Sequence, residues 1–249
     1  MSFALDHIIV LVPHAVLHSL PAALTDAFTV TPGGQHADGL TENKLIILRD
    51  GAYLELIAFM PGADRSSHWW GAKQNGTMDF ALTSPSLPSS FPAAFDPPQA
   101  GSRVRPDGEK VEWFVTFPKK AFERGSVPFF CHDRTPRQLR VPTDEAKTTH
   151  PSGAVGVAQL TVRVPAAGWD EAVKVYEEVT GEKAAVEGDA AVFHLGTVSG
   201  GGATSTIKVV KHDDERVDFG EIVVRTEGGK KPANVEVDLE GRPFKIRFE

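Results

Sequence analysis

The sequence of 249 residues is 41% hydrophobic and 24% charged, an ordinary balance for a globular protein that buries a large core in one or two domains. The net charge of -7 argues against a nucleic acid or an anionic membrane as partner, because both attract clustered Lys and Arg side chains. Cys131 is the only cysteine, no apolar run approaches the roughly 20 residues of a membrane span, and no secretory signal is recognisable, so we expect a soluble cytoplasmic protein.

The first sixty residues predict a strand, a helix and three further strands. His7 shares the parity of the apolar residues around it in the first strand, so its side chain belongs to an apolar face. Pro21 interrupts the helical spacing that follows, and Asp50-Gly51 is a hairpin signal between the last two strands. The predicted elements are a strand over 4–12, a helix over 14–27 and strands over 28–31, 43–49 and 52–59.

Two later segments of the chain are predicted to repeat this order of elements, although the amino-acid sequences of the three segments are barely similar. The second predicts a strand over 77–84, a short helical segment over 88–95 and strands over 102–105, 111–117 and 127–132. The third predicts a strand over 155–164, a helix over 169–180 that ends at Gly181, and strands over 190–195, 205–211, 221–225, 234–239 and 244–248.

This repetition predicts an α+β fold in which βαβββ units form a cupped mixed sheet. We assign residues 1–133 to a paired βαβββ domain, the polar residues 134–152 to a linker or covering loop, and residues 153–249 to a third βαβββ-like unit with an appended C-terminal hairpin. The sequence contains no motif of a serine hydrolase, a phosphate-binding loop or a metalloprotease. The function therefore depends on side chains that the strands bring together.

His7 and Glu55 are the first candidate catalytic residues. Each is a polar residue in an otherwise apolar strand. A histidine and a carboxylate on two strands of one curved sheet can share a metal ion or a substrate. Alternatively, the two side chains satisfy each other inside the core, because a buried carboxylate requires a partner.

The polar loop over residues 33–43 supplies the next candidates. It contains His36 as a further candidate catalytic residue, and Thr41 and Asn43 as candidate substrate-binding residues, because loops often carry functional groups. The alternative is a set of ordinary turns, since the loop is rich in glycine.

Further substrate-binding candidates lie later in the chain. Trp69 and Trp70 can wall a ligand pocket or simply cover a core. His132 and Arg134 can orient an anionic or carbonyl substrate or take part in a surface ion pair, and His150 either reaches the site or terminates the linker. The remaining histidines are expected on the surface or on helices: His14, His18, His68, His194 and His212.

Several segments resemble the glyoxalase-like family of the vicinal oxygen chelate superfamily. They lie within residues 1–165 and are LDHIIVLV, GGQHADGLTENKLIIL, GAYLELIAF, WWGAKQNGTMDFAL, VPFFCHDRTPRQLRVP and HPSGAVGV. The resemblance implies the vicinal oxygen chelate fold, in which two βαβββ units form a cup. It also implies that the first and fourth strands of each unit supply one ligand apiece to a divalent metal, which would be Zn, Mn, Ni or Fe.

Carried over by this resemblance, His7 and Glu55 match the two ligands of the first unit. The corresponding positions of the second unit are Phe80 and Phe130, which cannot bind a metal, so we assign both rings to the substrate-binding wall. Since catalytic sites usually hold at least three protein ligands, either the protein holds no metal or a third ligand comes from His36, His132 or His150. Glyoxalase I itself is disfavoured, because two of its four ligand positions are phenylalanine here.

Two functions follow from the resemblance. The first is an enzyme that acts on a small oxygenated metabolite by lyase or isomerase chemistry, with His7 and Glu55 as metal ligands or one of them as general base. The second is a binding protein that sequesters a small molecule between aromatic walls, with the same two residues as polar anchors. In both cases the partner is a small molecule, and a homodimer is compatible with the sequence.

Overall fold

Eight strands from the first half of the chain close into a barrel. The computed structural model describes residues 3–200, 202–229 and 231–249. The barrel strands are β1 (Ala4–Leu11), β2 (Thr31–His36), β3 (Thr41–Ile47), β4 (Tyr53–Phe59), β5 (Gly76–Thr83), β6 (Gln99–Val104), β7 (Lys110–Thr116) and β8 (Phe129–Asp133). Their order is β1-β4-β3-β2-β6-β7-β8-β5, and β5 pairs back with β1.

The barrel consists of two units with the same strand order. In each unit the first strand is parallel to the fourth, as β1 is to β4 and β5 is to β8. The units join through an antiparallel pair of first strands, β1 and β5, and through a short pair of second strands, β2 and β6. The predicted α+β class and mixed sheet are therefore confirmed, and the predicted cup is closed into a barrel.

Prolines decide where the first two units have helices. The predicted helix over 14–27 is two short helices, α1 (His14–His18) and α2 (Ala22–Thr25), because Pro21 interrupts the first and caps the second. The predicted helix over 88–95 is wrong, since the described chain between β5 and β6 contains turns and no helix. The five prolines of residues 85–98 lack the N–H groups that a helix needs.

A hairpin of β2 and β3 replaces most of the predicted polar loop. β2 begins at Thr31, later than the predicted residue 28, and ends at His36. β3 begins at Thr41, so only residues 37–40 turn between the two strands. Because side chains alternate along a strand, Thr41 and Asn43 are buried on the inner face, and Glu42 lies on the opposite face.

The residues after the barrel repeat the same strand order. β9 (Ala154–Pro165) is parallel to β12 (Thr204–His212), which pairs with β11 (Ala190–Gly196), and β11 pairs with β10 (Ala185–Glu187). The helix of this unit, α5 (Ala166–Thr180), ends at Gly181 in the left-handed conformation, as predicted.

The last three strands form a partial unit. They are β13 (Asp218–Thr226), β14 (Val235–Asp238) and β15 (Pro243–Phe248), and a 3-10 helix (Glu227–Gly229) follows β13. β13 is antiparallel to β9 and parallel to β15, and β14 is antiparallel to β15. The predicted hairpin of the last two strands is thus one edge of a sheet that continues into β9.

Two short helices in residues 134–152 lie against the barrel, α3 (Arg137–Arg140) and α4 (Glu145–Thr148). Val141 directly after α3 packs on Leu45, Ile47 and Tyr53, which point into the barrel from β3 and β4. The largest hydrophobic core surrounds the barrel and joins it to α5 and the C-terminal strands, whereas a smaller cluster lies inside the barrel. Among the described residues, no helix is long and apolar enough to cross a membrane.

Candidate functional site

A cavity of about 430 Å³ lies inside the barrel. Its volume is within the range of clefts that hold small-molecule ligands. Polar, charged and aromatic side chains all contribute to its wall. The polar and charged ones are His7, His36, Thr41, Asn43, Tyr53, Glu55, Arg103 and Arg140, and the other ring side chains are His68, Trp69, Trp70, Trp113, Phe117 and Phe129. The two sets are in contact, since the ring centroid of Trp113 lies 6.1 Å from that of His36 and the ring centroid of Phe129 lies 5.5 Å from that of His7.

A β-bulge in β1 brings two consecutive side chains, Asp6 and His7, to one site. The register between β1 and β5 shifts between Leu5 and His7, which breaks the strict alternation of the strand. His7 Nδ1 lies 2.7 Å from Asp6 Oδ2, and its ring stacks on Tyr53 at 4.7 Å between centroids. An ionised carboxylate only accepts, so Nδ1 carries the proton and Nε2 offers a lone pair to the cavity.

Asp6 is ionised because two arginines surround it. Arg140 Nη1 donates to Oδ2 at 2.8 Å, and Arg137 Nη1 donates to Oδ1 at 2.5 Å. Burial opposes the charge, but Arg137 and Arg140 hold the pKa of Asp6 well below its ordinary value. Arg140 also donates from Nε to Asp133 at 2.5 Å, so the cluster of two arginines is balanced by two carboxylates.

Glu55 on β4 lies between two histidines. Asn43 Nδ2 donates to Glu55 Oε1 at 2.5 Å, His7 Nε2 lies 3.4 Å from Oε2, and His36 Nε2 lies 3.7 Å from Oε1. The other nitrogen of His36, Nδ1, lies 2.8 Å from the Thr41 hydroxyl. Both histidines thus use Nδ1 for a neighbouring side chain and direct Nε2 toward the same carboxylate.

The chemical types of these donors suit a divalent transition metal. Two imidazoles and one carboxylate form a facial set that many metal enzymes use, and metal-bound histidines usually bond a second partner through their other nitrogen. Burial lowers the pKa of His36, so its ring is neutral near pH 7 and can donate a lone pair. The two histidines approach different oxygens of Glu55, at 3.4 and 3.7 Å, and the ligand atoms of the three side chains do not all lie within 4.8 Å of one another, so an ion would draw them closer together.

Arg103 places a positive charge beside this group. The closure of the barrel pairs His36 on β2 with Arg103 on β6. The guanidinium donates to the backbone carbonyls of Gly33 at 2.6 Å and Arg140 at 3.1 Å. It is 4% exposed, and within the described part of the chain no carboxylate forms an ion pair with it. A buried guanidinium of this kind is suited to an anionic group of a ligand.

Indole rings and phenylalanines form the apolar part of the cavity wall. Trp70 is buried, and its Nε1 donates to Asp79 Oδ2 at 2.8 Å. Trp113 lies over Gly101, where a Cβ atom would stand 2.5 Å from the indole Nε1. Trp69 is 42% exposed and forms the rim. The rings supply a flat apolar surface for the body of a ligand.

Comparison with known proteins identifies the family of this chain. The model of the family described as "Glyoxalase-like domain" matches residues 5–180. The chain belongs to the glyoxalase-like domain family. No curated protein matches it in sequence.

Several solved structures share the fold of this glyoxalase-like chain. A hypothetical protein from Staphylococcus aureus superposes with a TM-score of 0.71 at 12% identity, covering 99% of this chain and 100% of that one. The Mn(II)-bound glyoxalase from Novosphingobium aromaticivorans has a TM-score of 0.53 at 11% identity, with 100% and 82% covered. BphC, a halotolerant catechol dioxygenase, has a TM-score of 0.51 at 10% identity, with 100% and 87% covered.

The glyoxalase-like barrel places Phe80 and Phe130 outside the cavity, so their assignment to the substrate-binding wall was wrong. Phe80 pairs with Ile8, and both belong to the core around the barrel. Asp79 and Phe129, one residue earlier on each strand, turn to the inner side instead. The predicted alignment of the second unit with the first was therefore wrong by one residue on both strands. A shift of one residue moves the side chains of a strand to its opposite face.

Three further predicted residues lie away from the cavity. His132, Arg134 and His150 do not line it, so of the three candidate third ligands His36 is the one beside Glu55. His132 Nε2 lies 2.9 Å from the Ser84 hydroxyl, and the guanidinium of Arg134 lies 5.0 Å from the ring centroid of Phe114. His150 accepts a hydrogen bond from the Thr29 N–H at 3.1 Å, and its Nε2 lies 2.9 Å from the Ile47 carbonyl oxygen. The other predicted residues, Thr41, Asn43, Trp69 and Trp70, line the cavity of the glyoxalase-like barrel.

Sequence reasoning missed five residues of the site. His68, expected on the surface, is buried beside the rings of Trp69 and Trp70, where burial lowers its pKa to about 4. Tyr53, Arg103 and Arg140 had no local signal, because each depends on pairing between distant strands or on the α3 segment. The adjacent acid and histidine in Asp6-His7 were the one available hint, and a strict alternation would have placed them on opposite faces.

Gly33 makes room for Asn43, and this gives a prediction. A Cβ atom on Gly33 would stand 1.9 Å from Asn43 Oδ1 and 2.7 Å from the Asn43 carbonyl oxygen. Gly33→Ala should therefore displace the amide that bonds Glu55 and lower the free energy of unfolding by about 1–3 kcal/mol. Urea denaturation measures the loss, with Gly168→Ala as control, since a Cβ atom at Gly168 meets open space. Equal stability of Gly33→Ala and wild type would contradict the close approach.

Proposed function

We propose that the barrel is an enzyme active site for a small oxygenated acid, and that His7, His36 and Glu55 hold a divalent metal ion there. The observation that carries the proposal is the orientation of the two histidines. Each has its Nδ1 engaged, by Asp6 or Thr41, and directs Nε2 to Glu55. A glyoxalase of the same fold is Mn(II)-bound, which supports a divalent ion as the cofactor of this proposal.

The reaction class that fits best is proton abstraction beside a carbonyl, as in isomerases and lyases. A divalent ion at this site supplies Lewis-acid polarisation of a substrate oxygen. Glu55 Oε1 is held by Asn43, so Oε2 is the oxygen that accepts a proton from the carbon next to the carbonyl. Asp6 keeps His7 in one tautomer and one orientation, and indole rings line part of the cavity wall.

The substrate class follows from the lining of the cavity. Arg103 offers a buried positive charge, and Trp69, Trp70 and Trp113 offer flat apolar surfaces. A molecule that satisfies both carries a carboxylate and a carbonyl on an aromatic or other apolar body. An aromatic 2-oxo acid has this chemistry and is the first probe to test.

Loss of the Arg103 charge should weaken binding of acidic ligands selectively. In Arg103→Met, the dissociation constant of an aromatic 2-oxo acid should rise roughly 10–100-fold, because a hydrogen bond to a charged group is worth about 1.5–3 kcal/mol. Its methyl ester should bind the variant and the wild type equally. Isothermal titration calorimetry measures both ligands.

Arg105→Met is the matched control for this experiment. Arg105 also donates to a backbone carbonyl, that of Leu139, but it pairs with Asp107 near the surface. Acid binding that falls equally in both variants, or ester binding that falls with acid binding in Arg103→Met, would contradict an anion site at Arg103.

The experiment on the proposed function combines metal content with proton exchange. The metal content of the purified protein should fall by one ion per chain in His7→Ala, His36→Ala and Glu55→Gln and stay unchanged in the exposed control His194→Gln. Exchange of the proton beside the carbonyl of the 2-oxo acid into D₂O, followed by NMR, should fall at least about 100-fold in Glu55→Gln.

A non-catalytic binding protein is the second candidate. It is favoured by the aromatic side chains that line the cavity, because they can hold an apolar ligand without taking part in a reaction. That function predicts a metal-free protein that binds the acid without proton exchange. Its affinity would survive Glu55→Gln and fall in Trp70→Ala. The same two measurements therefore separate the enzyme from the binding protein.

A further inference from the structure

We propose that His14, His18 and Glu42 form a second metal site, on the outside of the barrel. The two histidines are one turn apart on α1, and Glu42 lies on β3. His14 Nε2 lies 2.9 Å and His18 Nε2 lies 2.5 Å from the same oxygen, Glu42 Oε1. One ligand atom from each of the three residues lies within 4.8 Å of the others.

The backbone holds these side chains in place from both sides. Residues four apart on a helix share a face, and the buried Leu17 fixes the rotation of α1 against the barrel. Pro13 precedes α1 and Pro21 follows it, so the helix is a single short turn at a fixed position. The rings of His14 and His18 are consequently 4.5 Å apart between centroids, both against Glu42.

The chemistry of the group selects the kind of ion. Two imidazoles and a carboxylate suit zinc, nickel or copper, whereas calcium and magnesium prefer oxygen ligands alone. Metal–ligand bonds of about 2.0–2.2 Å place neighbouring ligand atoms about 3 Å apart, close to the present spacing, so an ion needs little rearrangement. The side chains are 30%, 55% and 21% exposed, which leaves open positions for water or a further ligand.

This site is separate from the one inside the barrel. Side chains alternate along β3, so Glu42 faces outward between Thr41 and Asn43, which face the cavity. An ion on the outer site clamps α1 to the strand that carries the partners of His36 and Glu55. We therefore expect the outer ion to stabilise the fold without entering the cavity.

The test removes the inner site first. The His7→Ala/His36→Ala protein, stripped with a chelator, should bind one Zn²⁺ per chain in isothermal titration calorimetry and melt at a higher temperature with Zn²⁺ than without. Adding His14→Gln and His18→Gln should lower the Zn²⁺ affinity at least tenfold and abolish the rise in melting temperature. Glutamine still donates a hydrogen bond to Glu42, so the comparison isolates the metal-binding nitrogen from the hydrogen bond.

The control is His194→Gln in the same background, which removes an exposed imidazole from β11. It should bind Zn²⁺ as tightly as its parent. Cu²⁺ should give an electron paramagnetic resonance spectrum with coupling to two nitrogens, lost in the glutamine variants. Zn²⁺ binding that is unchanged by His14→Gln/His18→Gln, or that falls equally in His194→Gln, would overturn the proposal. Melting curves in chelator establish that each variant is folded.

Discussion

Asp6→Ala should lower the free energy of unfolding by about 3–5 kcal/mol, the usual cost of removing one member of a buried ion pair. Asp6 is fully buried, and its carboxylate accepts hydrogen bonds from Arg137 and Arg140. Its removal leaves Arg140 with Asp133 as the remaining charged partner and His7 without the acceptor at Nδ1. Urea denaturation at pH 7 measures the change.

The contribution of Asp6 also has a predicted pH dependence. The pKa of Asp6 in the folded protein lies well below 3.8. Its charge therefore stabilises the folded state at every pH at which the carboxylate is also ionised in the unfolded chain. The difference in stability between wild type and Asp6→Ala should be complete above about pH 4 and should shrink as the pH falls through the folded pKa. Asp213→Ala provides the control, because the Asp213 side chain is exposed and its removal should leave the stability at pH 7 unchanged. A difference that grows with acid would contradict the ion-pair assignment.

Asp79 should behave in the opposite way. It lies beneath Trp70, where burial raises its pKa from 3.8 to about 6, although the Trp70 indole, the Phe80 N–H, Arg124 and Lys73 all favour the ionised form. Between pH 4 and 6 the folded protein keeps a proton that the unfolded chain has lost. The free energy of unfolding should therefore fall as the pH rises through this window, by at most about 3 kcal/mol from this group.

Asp79→Asn removes the titrating group and tests the assignment. Relative to wild type, the variant should gain about 3 kcal/mol in unfolding free energy between pH 4 and 7.5, whatever its absolute stability. Subtracting the two unfolding free energies at each pH removes the contributions of the other carboxylates, which are the same in both proteins because distant sites contribute independently. A constant difference across this range would show that Asp79 is ionised throughout.

Periodicity was sufficient to predict the repeated units of this fold. Three correctly predicted features have a local physical cause. They are the parity of His7 with its apolar neighbours, the hairpin at Asp50-Gly51 and the end of the helix at Gly181. The wrong helix over 88–95 had a local cause as well, since its prolines argue against a helix more strongly than its apolar spacing argues for one.

The parts of the site that were missed depend on pairing between strands. The bulge at Asp6 and the register of Phe80 are set by how β1 meets β5, and the register of Phe130 by how β5 meets β8. Alternation within one strand reveals neither. Arg103 reaches the site because β2 and β6 close the barrel, and Arg140 reaches it from the segment predicted as a linker. Long-range contacts of this kind leave no trace in local sequence patterns.

A crystal of the protein soaked in Mn²⁺, with anomalous diffraction data, tests the proposed metal site. A bound ion should give an anomalous peak about 2.0–2.3 Å from His7 Nε2, His36 Nε2 and a Glu55 carboxylate oxygen. A well-ordered cavity without a peak, in which His7 Nε2 and Glu55 bond each other directly, would show that these three residues hold no metal.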